Sequence, residues 1–314
     1  MSLRLGSRGS PLALVQSHLV AGMLGKPAGQ DAAAFPIEAF MTSGDRIQGR
    51  LQDQGGKGLF TKELDEALLD GRIDAAVHSM KDLPTRMPPG IVLAAVPARE
   101  DPRDAFIALA AKSLMELPPG ATVGTASLRR QAQTLHLRPD LKVEMLRGRV
   151  ETRLAKIESG AFDATYLALA GLKRLGLEKH AASIVDSRAM PPAPGQGALA
   201  ITARAGDEKT LTLLAPLNIA EHAIATTAER AFLEALDGSC RTPIAATARI
   251  TDGTLSLLGE VLTPDGKHCW RRDGTANLGN DPATAARALG WALGAEIRGE
   301  AGPLYQAHFG DNGW

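Results

Sequence analysis

Short apolar runs alternate with amphipathic stretches through the first half of this chain, and that rhythm restricts its fold more than any other feature. Residues 3–7 read as a strand, and Leu12, Val15, Leu19 and Met23 follow at helical spacing. Ser10 and Pro11 suit the N-cap and first helical position. Residues 35–42 form a second strand candidate, and 61–71 a second helix closed by Gly71. Residues 73–80 are an apolar run leading into Lys81-Asp82, and 91–97 are strand-like again. Such alternation predicts α/β layers around largely buried sheets.

A second unit with the same rhythm, but no residue-level repeat, follows the charged stretch Arg99-Glu100-Asp101-Pro102-Arg103. It runs strand (121–127), helix (128–138), strand (141–148), helix (150–160), then strand and helix within 162–177. Pro191, Pro192, Pro194, Gly195 and Gly197 mark a turn-rich crossing before the apolar run 198–202. From about Glu221 the character changes: a helix to Gly238, three strands within 242–274, and an amphipathic helix over 282–297. That last third reads as a small α+β domain. The length, 314 residues, exceeds one ordinary core and suits about two or three domains.

Thirty-five basic residues balance thirty-five acidic ones, so no global field draws the chain to nucleic acid or an anionic membrane. Any anion recognition must come from local clustering. No apolar run approaches the roughly 20 residues that span a bilayer, and the N-terminus lacks a signal-peptide pattern. The expected location is the cytoplasm. The two cysteines, Cys240 and Cys269, suit reduced thiols better than a disulfide. The seven histidines are scattered, which disfavours a metal enzyme.

Arg8, Lys81, Ser127, Arg129 and Arg147 all fall where strands end or helices begin. Taken singly, each charge reads as a solvated surface group. Together they lie where α/β proteins bind ligands, beyond strand C-termini and at helix N-termini. Arginine grips a carboxylate through two parallel hydrogen bonds, so the pattern predicts a multi-carboxylate or phosphate site between two α/β units. The Gly55-Gly56-Lys57-Gly58 run fails as a P-loop, because Gly58 and Leu59 follow the lysine. Asp82, beside Lys81, is either a salt-bridge partner or a proton shuttle and stabiliser of a transient cation. Cys240, within Asp237-Gly238-Ser239-Cys240-Arg241, is either a buried structural cysteine or a loop thiol with thiolate character.

Nearly the whole chain resembles the porphobilinogen deaminase family. The resemblance is carried by LRLGSRGSPLALVQ, TSGD, GGKGLFTKELDEALLDGRIDAAVHSMKDLP, VGTASLRRQAQ, LRGRVETRL, LALAGLKRLGL, PAPGQGALAI and LDGSCRTPIAA. It implies two lobes like those of type II periplasmic binding proteins plus a small α+β C-terminal domain. The expected division is 1–98 with 199–216, then 103–192, then 218–314. It also implies a dipyrromethane cofactor attached to Cys240 through a thioether. Four porphobilinogen molecules would be added to it with loss of ammonia, and water would release the linear hydroxymethylbilane. Asp82 is then the catalytic group. Lys57, Lys81, Ser127, Arg129 and Arg130 would hold the cofactor. Arg8, Ser10, Gln16, Phe60, Arg147, Arg153 and Arg174 would line the substrate path. The partners implied are porphobilinogen and the growing chain, with no nucleic acid and no membrane, for a monomeric enzyme.

Two positions depart from the family pattern: Arg149 stands where Asn is usual, and Ser239 where a second Gly precedes the cofactor cysteine. Arg149 either adds a cation to the site or turns to solvent. Cys269 matches no motif and reads as a strand residue. A non-catalytic solute-binding protein would share the sheet rhythm, but the absent signal pattern, the third domain and Cys240 count against it. A DNA-binding regulator would need a helix-turn-helix and a basic surface, and neither is visible.

Overall fold

The computed structural model describes residues 3–46, 58–236, 238 and 242–309. The chain forms two compact units, Met1–Glu100 with Gly197–Ala223, and Asp101–Gln196 with Ile224–Trp314.

The first unit opens with β1 (Leu5–Arg8) and α1 (Pro11–Ala28). Ser10 caps α1, its Oγ accepting from the Ala13 amide, and Gly29 ends it at φ 59°. The helix is where its spacing predicts, but the buried stripe includes Ala13, Gln16, Ser17, Val20, Ala21 and Leu24, while Leu19 is exposed. There follow β2 (Ile37–Phe40), α2 (Ser43–Arg46), α3 (Lys62–Leu69), β3 (Ala75–Ser79) and β4 (Ile91–Ala95).

In the second unit come β5 (Asp104–Ala108), β6 (Thr122–Gly124), α4 (Leu128–Leu137), β7 (Lys142–Glu144) and α5 (Val150–Glu158). They are followed by β8 (Ala164–Ala168), α6 (Leu169–Leu175) and β9 (Ser183–Ile184). The chain then returns to the first unit as β10 (Leu199–Arg204) and α7 (Glu208–Leu214). After α8 (Ala220–Ala235) it forms β11 (Ile244–Thr251), β12 (Thr254–Leu262), β13 (Cys269–Asn277) and α9 (Pro282–Phe309). This last helix extends well past residue 297, through Pro303.

Both large sheets follow one plan. The first has order β2-β1-β3-β10-β4, and the second β7-β6-β8-β5-β9. In each, the first three strands are parallel, and the fourth, β10 or β5, runs antiparallel to its neighbours. This is the two-lobed α/β class the sequence predicts. The reading passes over β5, because the charged Asp101-Pro102-Arg103 stretch beside it looks like linker. Apolar side chains fill both faces of each sheet: Leu5, Val20, Val77 and Ile201 on one side of the first, Leu64, Leu68 and Ile73 on the other.

The C-terminal part is an antiparallel β11-β12-β13 meander backed by α8 and α9. Phe232, Leu257, Val261, Leu293 and Ile297 form its core. Within the second unit, the Ala246 amide donates to the Pro192 carbonyl at 3.0 Å. Buried Glu229 of α8 accepts from the amides of Gly195 at 2.7 Å and Ala248 at 2.8 Å. No helix among the described residues is long and apolar enough to cross a membrane.

Candidate functional site

In the first unit the chemistry gathers at the C-terminal edge of β1, β2 and β3. Arg8 ends β1, and Asp82 lies in the single helical turn Met80–Asp82 that follows β3. The Arg8 guanidinium donates to Asp82 Oδ2 at 3.4 Å and pairs closely with Asp45. It also lies over the Phe60 ring, 4.3 Å from the centroid. Phe60 in turn rests on Gly44, where a Cβ would come within 2.3 Å of the ring. Burial would raise the Asp45 carboxyl, but hydrogen bonds from Arg8 and Thr42 outweigh it and hold the group below its usual range. Asp82 keeps 28% of its side chain exposed, open to a ligand.

Two more predicted residues support this edge. Ser10 caps α1, and Gln16, buried, hydrogen-bonds Ser79 Oγ at 3.1 Å. Lys81 is exposed between Met80 and Asp82. Under this edge His78 is wholly buried, its Nε2 3.0 Å from Thr202 Oγ1 on β10. Burial, then the Arg8 charge, pushes the imidazole down to about 4, so it is neutral at physiological pH.

The second unit repeats the pattern with more cations. Ser127 caps α4, its Oγ accepting from the Arg130 amide. Arg129 and Arg130, 4% and 6% exposed, both turn onto Asp104, whose side chain is fully buried. Burial would raise that carboxyl, but the two guanidiniums outweigh it and keep Asp104 ionised at any ordinary pH. Arg153 on α5 is different: its Nε is buried with no hydrogen-bond partner among the described residues. Burial, then the charge of Arg130, pushes Arg153 down to about 10. Arg147 precedes Gly148, and Arg174 sits in the last turn of α6, both half-buried. Arg149 is exposed at the N-cap of α5, turned to solvent.

Lys57 and Cys240 lie outside the described residues. Cys269, on β13, is partly buried with Sγ 3.7 Å from Glu260 Oε2; burial, then that carboxylate, pushes the thiol up to about 12. It is a poor nucleophile. Among the described residues, no three His, Cys, Asp or Glu side chains are grouped to hold a metal ion. Sequence reasoning missed Asp45 and Asp104. The first lies within Thr42-Ser43-Gly44-Asp45, and the second opens β5, a strand the sequence reading leaves unassigned beside the charged stretch.

Two α/β lobes of equal plan each carry arginines and a carboxylate at the strand ends, where proteins of the α/β class bind their ligands. The family model for "Porphobilinogen deaminase, dipyromethane cofactor binding domain" matches residues 3–212, and that for the "Porphobilinogen deaminase, C-terminal domain" matches 223–299. The porphobilinogen deaminase of Caulobacter sp. (strain K31) is 55% identical, over 96% of this chain and 96% of its own. That of Phenylobacterium zucineum (strain HLK1) is 51% identical, over 96% and 97%. Among solved structures, a putative methionine-binding lipoprotein from Bacillus subtilis is 15% identical, covering 69% of this chain and 89% of that one, with TM-score 0.42. The aliphatic sulphonate binding protein SsuA from Escherichia coli is 16% identical, covering 74% and 70%, with TM-score 0.40. The chain belongs to the porphobilinogen deaminase family. It is thus a transferase of tetrapyrrole biosynthesis with a dipyrromethane cofactor-binding domain.

Proposed function

We propose that this enzyme joins four porphobilinogen molecules to a dipyrromethane carried on the Cys240 thioether, releasing ammonia at each step and hydroxymethylbilane at the end. The observation that carries the reading is Asp82, placed just past β3, gripped by Arg8 and still partly open to solvent. Loss of ammonia leaves an electron-poor pyrrole, and a fixed carboxylate stabilises the positive charge. The same carboxylate takes a proton from the pyrrole nitrogen and returns it.

The residues present fit a polyanionic cofactor. The Nε of Arg153, buried and without a partner among the described residues, and the N-terminus of the ten-residue helix α4 supply donors for carboxylates. Lys57, Lys81, Ser127, Arg129 and Arg130 would hold the cofactor. Arg8, Ser10, Gln16, Phe60, Arg147, Arg153 and Arg174 would line the path of porphobilinogen and the growing chain. When bound, the cofactor supplies a primer with a free α-carbon. The residues of this chain hold its carboxylates, orient the reacting pyrroles and move protons. The wider proposal is a cytoplasmic monomer of three domains, 1–98 with 199–216, 103–192 and 218–314. The separate sheet of β11 to β13 supports the third boundary.

The test is intact mass by electrospray on wild type and Cys240→Ser. An excess equal to two linked pyrroles in wild type, absent from the variant, is the expected result. A bare mass that stays bare after incubation with porphobilinogen would overturn the thioether and favour a non-covalent binding role.

A further inference from the structure

Asp104 is a buried acid with an unusual number of partners. Because β5 runs antiparallel to β8, its first residue reaches the C-terminal edge of β6 and β8, beside the start of α4. Its carboxylate accepts from Arg129 Nη2 at 2.9 Å, Arg130 Nε at 3.1 Å, Arg130 Nη2 at 2.8 Å and Gln196 Nε2 at 2.7 Å. Gln133 extends the network: its Oε1 accepts from Arg129 Nη1 at 2.9 Å, and its Nε2 donates to Glu260 Oε1 at 2.7 Å. Glu260 is buried on β12 and paired with Arg271.

A carboxylate that takes two adjacent donors of a guanidinium fixes its plane as well as its position. Arg130 is held this way through Nε and Nη2, and its Nη1 donates to the Tyr166 carbonyl at 2.8 Å. Among the described residues three of its five N–H groups are thereby used, and two remain. The Nε of Arg129 is buried and has no hydrogen-bond partner among the described residues, like that of Arg153. A buried acid that served stability alone would be expected to satisfy its partners completely. This one leaves donors unspent, among the described residues, on the guanidiniums it grips.

We propose that Asp104 is a positioning residue: with Gln133 and Glu260 behind it, it aims the Arg129–Arg130 pair so that their remaining donors meet the carboxylates of the bound pyrroles. The proposal rests on the reading that these arginines hold the cofactor.

The test compares apo and cofactor-loaded protein, with loading verified by intact mass, in wild type, Asp104→Asn, Gln133→Met and Arg130→Leu. In wild type, loading raises the melting temperature. Asp104→Asn is expected to lose at least half of that rise. Its kcat per loaded chain falls tenfold or more, while KM for porphobilinogen stays within about threefold, because the aimed donors hold the primer. Gln133→Met shifts both readouts in the same direction by less, and decides the matter if Asp104→Asn does not fold. A lower melting point with the full rise on loading and wild-type kcat would show a purely structural ion pair and overturn the proposal. Wild-type behaviour of Arg130→Leu would overturn the reading beneath it as well.

Discussion

At the scale of single residues, the site depends on Arg8 and the carboxylates around it. Arg8 meets Asp45, Asp82 and the Phe60 ring at once, so one side chain fixes three others. Asp82 adds little to folding, since a partly exposed pair at 3.4 Å is worth under about 1 kcal/mol. On the proposed mechanism its value to the reaction is larger. A charge pair at about 4 Å in an effective dielectric near 20 gives roughly 4 kcal/mol before desolvation, about a thousandfold in rate. Asp82→Asn is therefore expected to lose about three orders of magnitude in kcat while melting within about 2 °C of wild type. Steady-state kinetics beside circular dichroism checks both, and near-wild-type turnover would remove Asp82 from the mechanism.

At the scale of elements, the pairing of β3 with β10 sets a pH response. His78 on β3 is locked against Thr202 on β10 and held neutral by burial down to about 4, against about 6.5 unfolded. Below pH 6.5 the unfolded chain takes a proton that the folded one refuses. Stability is complete above pH 6.5 and falls as the pH drops towards 4. At 1.36 kcal/mol per pKa unit, the loss by pH 4.5 is about 2–3 kcal/mol. Urea denaturation at pH 7.5 and 4.5 should show this loss in wild type and a smaller one in His78→Gln. Equal losses in both would place the acid sensitivity elsewhere. A second element-scale dependence is the β12–β13 turn, which docks on α4. Gly266 has φ 72°, and a Cβ there would lie 2.5 Å from the His136 amide nitrogen and 2.6 Å from the Ala132 carbonyl oxygen. Gly266→Ala should cost about 3 kcal/mol through backbone strain and overlap, lowering the melting temperature by roughly 5–10 °C. A shift below about 2 °C would mean that this turn can leave α4 freely.

At the scale of the whole molecule, the neutral net charge conceals local order, for cations and carboxylates collect at the strand ends of both lobes. The sequence by itself determined the α/β rhythm, the cap at Ser10, the helix starts at Pro11 and Leu128, and the cations around them. These are local matters, governed by hydrophobic period, capping and turn chemistry within a few residues. The long motif from Gly55 to Pro84 made the family legible too. What only the tertiary structure decided is which charge meets which. Asp45 and Asp82 reach Arg8 across 37 and 74 residues, and Gln133 reaches Glu260 across 127. Nor could the helical spacing of α1 tell Val20 from Leu19 as the core residue, since that choice belongs to the sheet it packs on. The sequence supplies each donor and acceptor, but a hydrogen bond is sensitive to fractions of an ångström, and only sheet order and strand direction bring distant ones within reach.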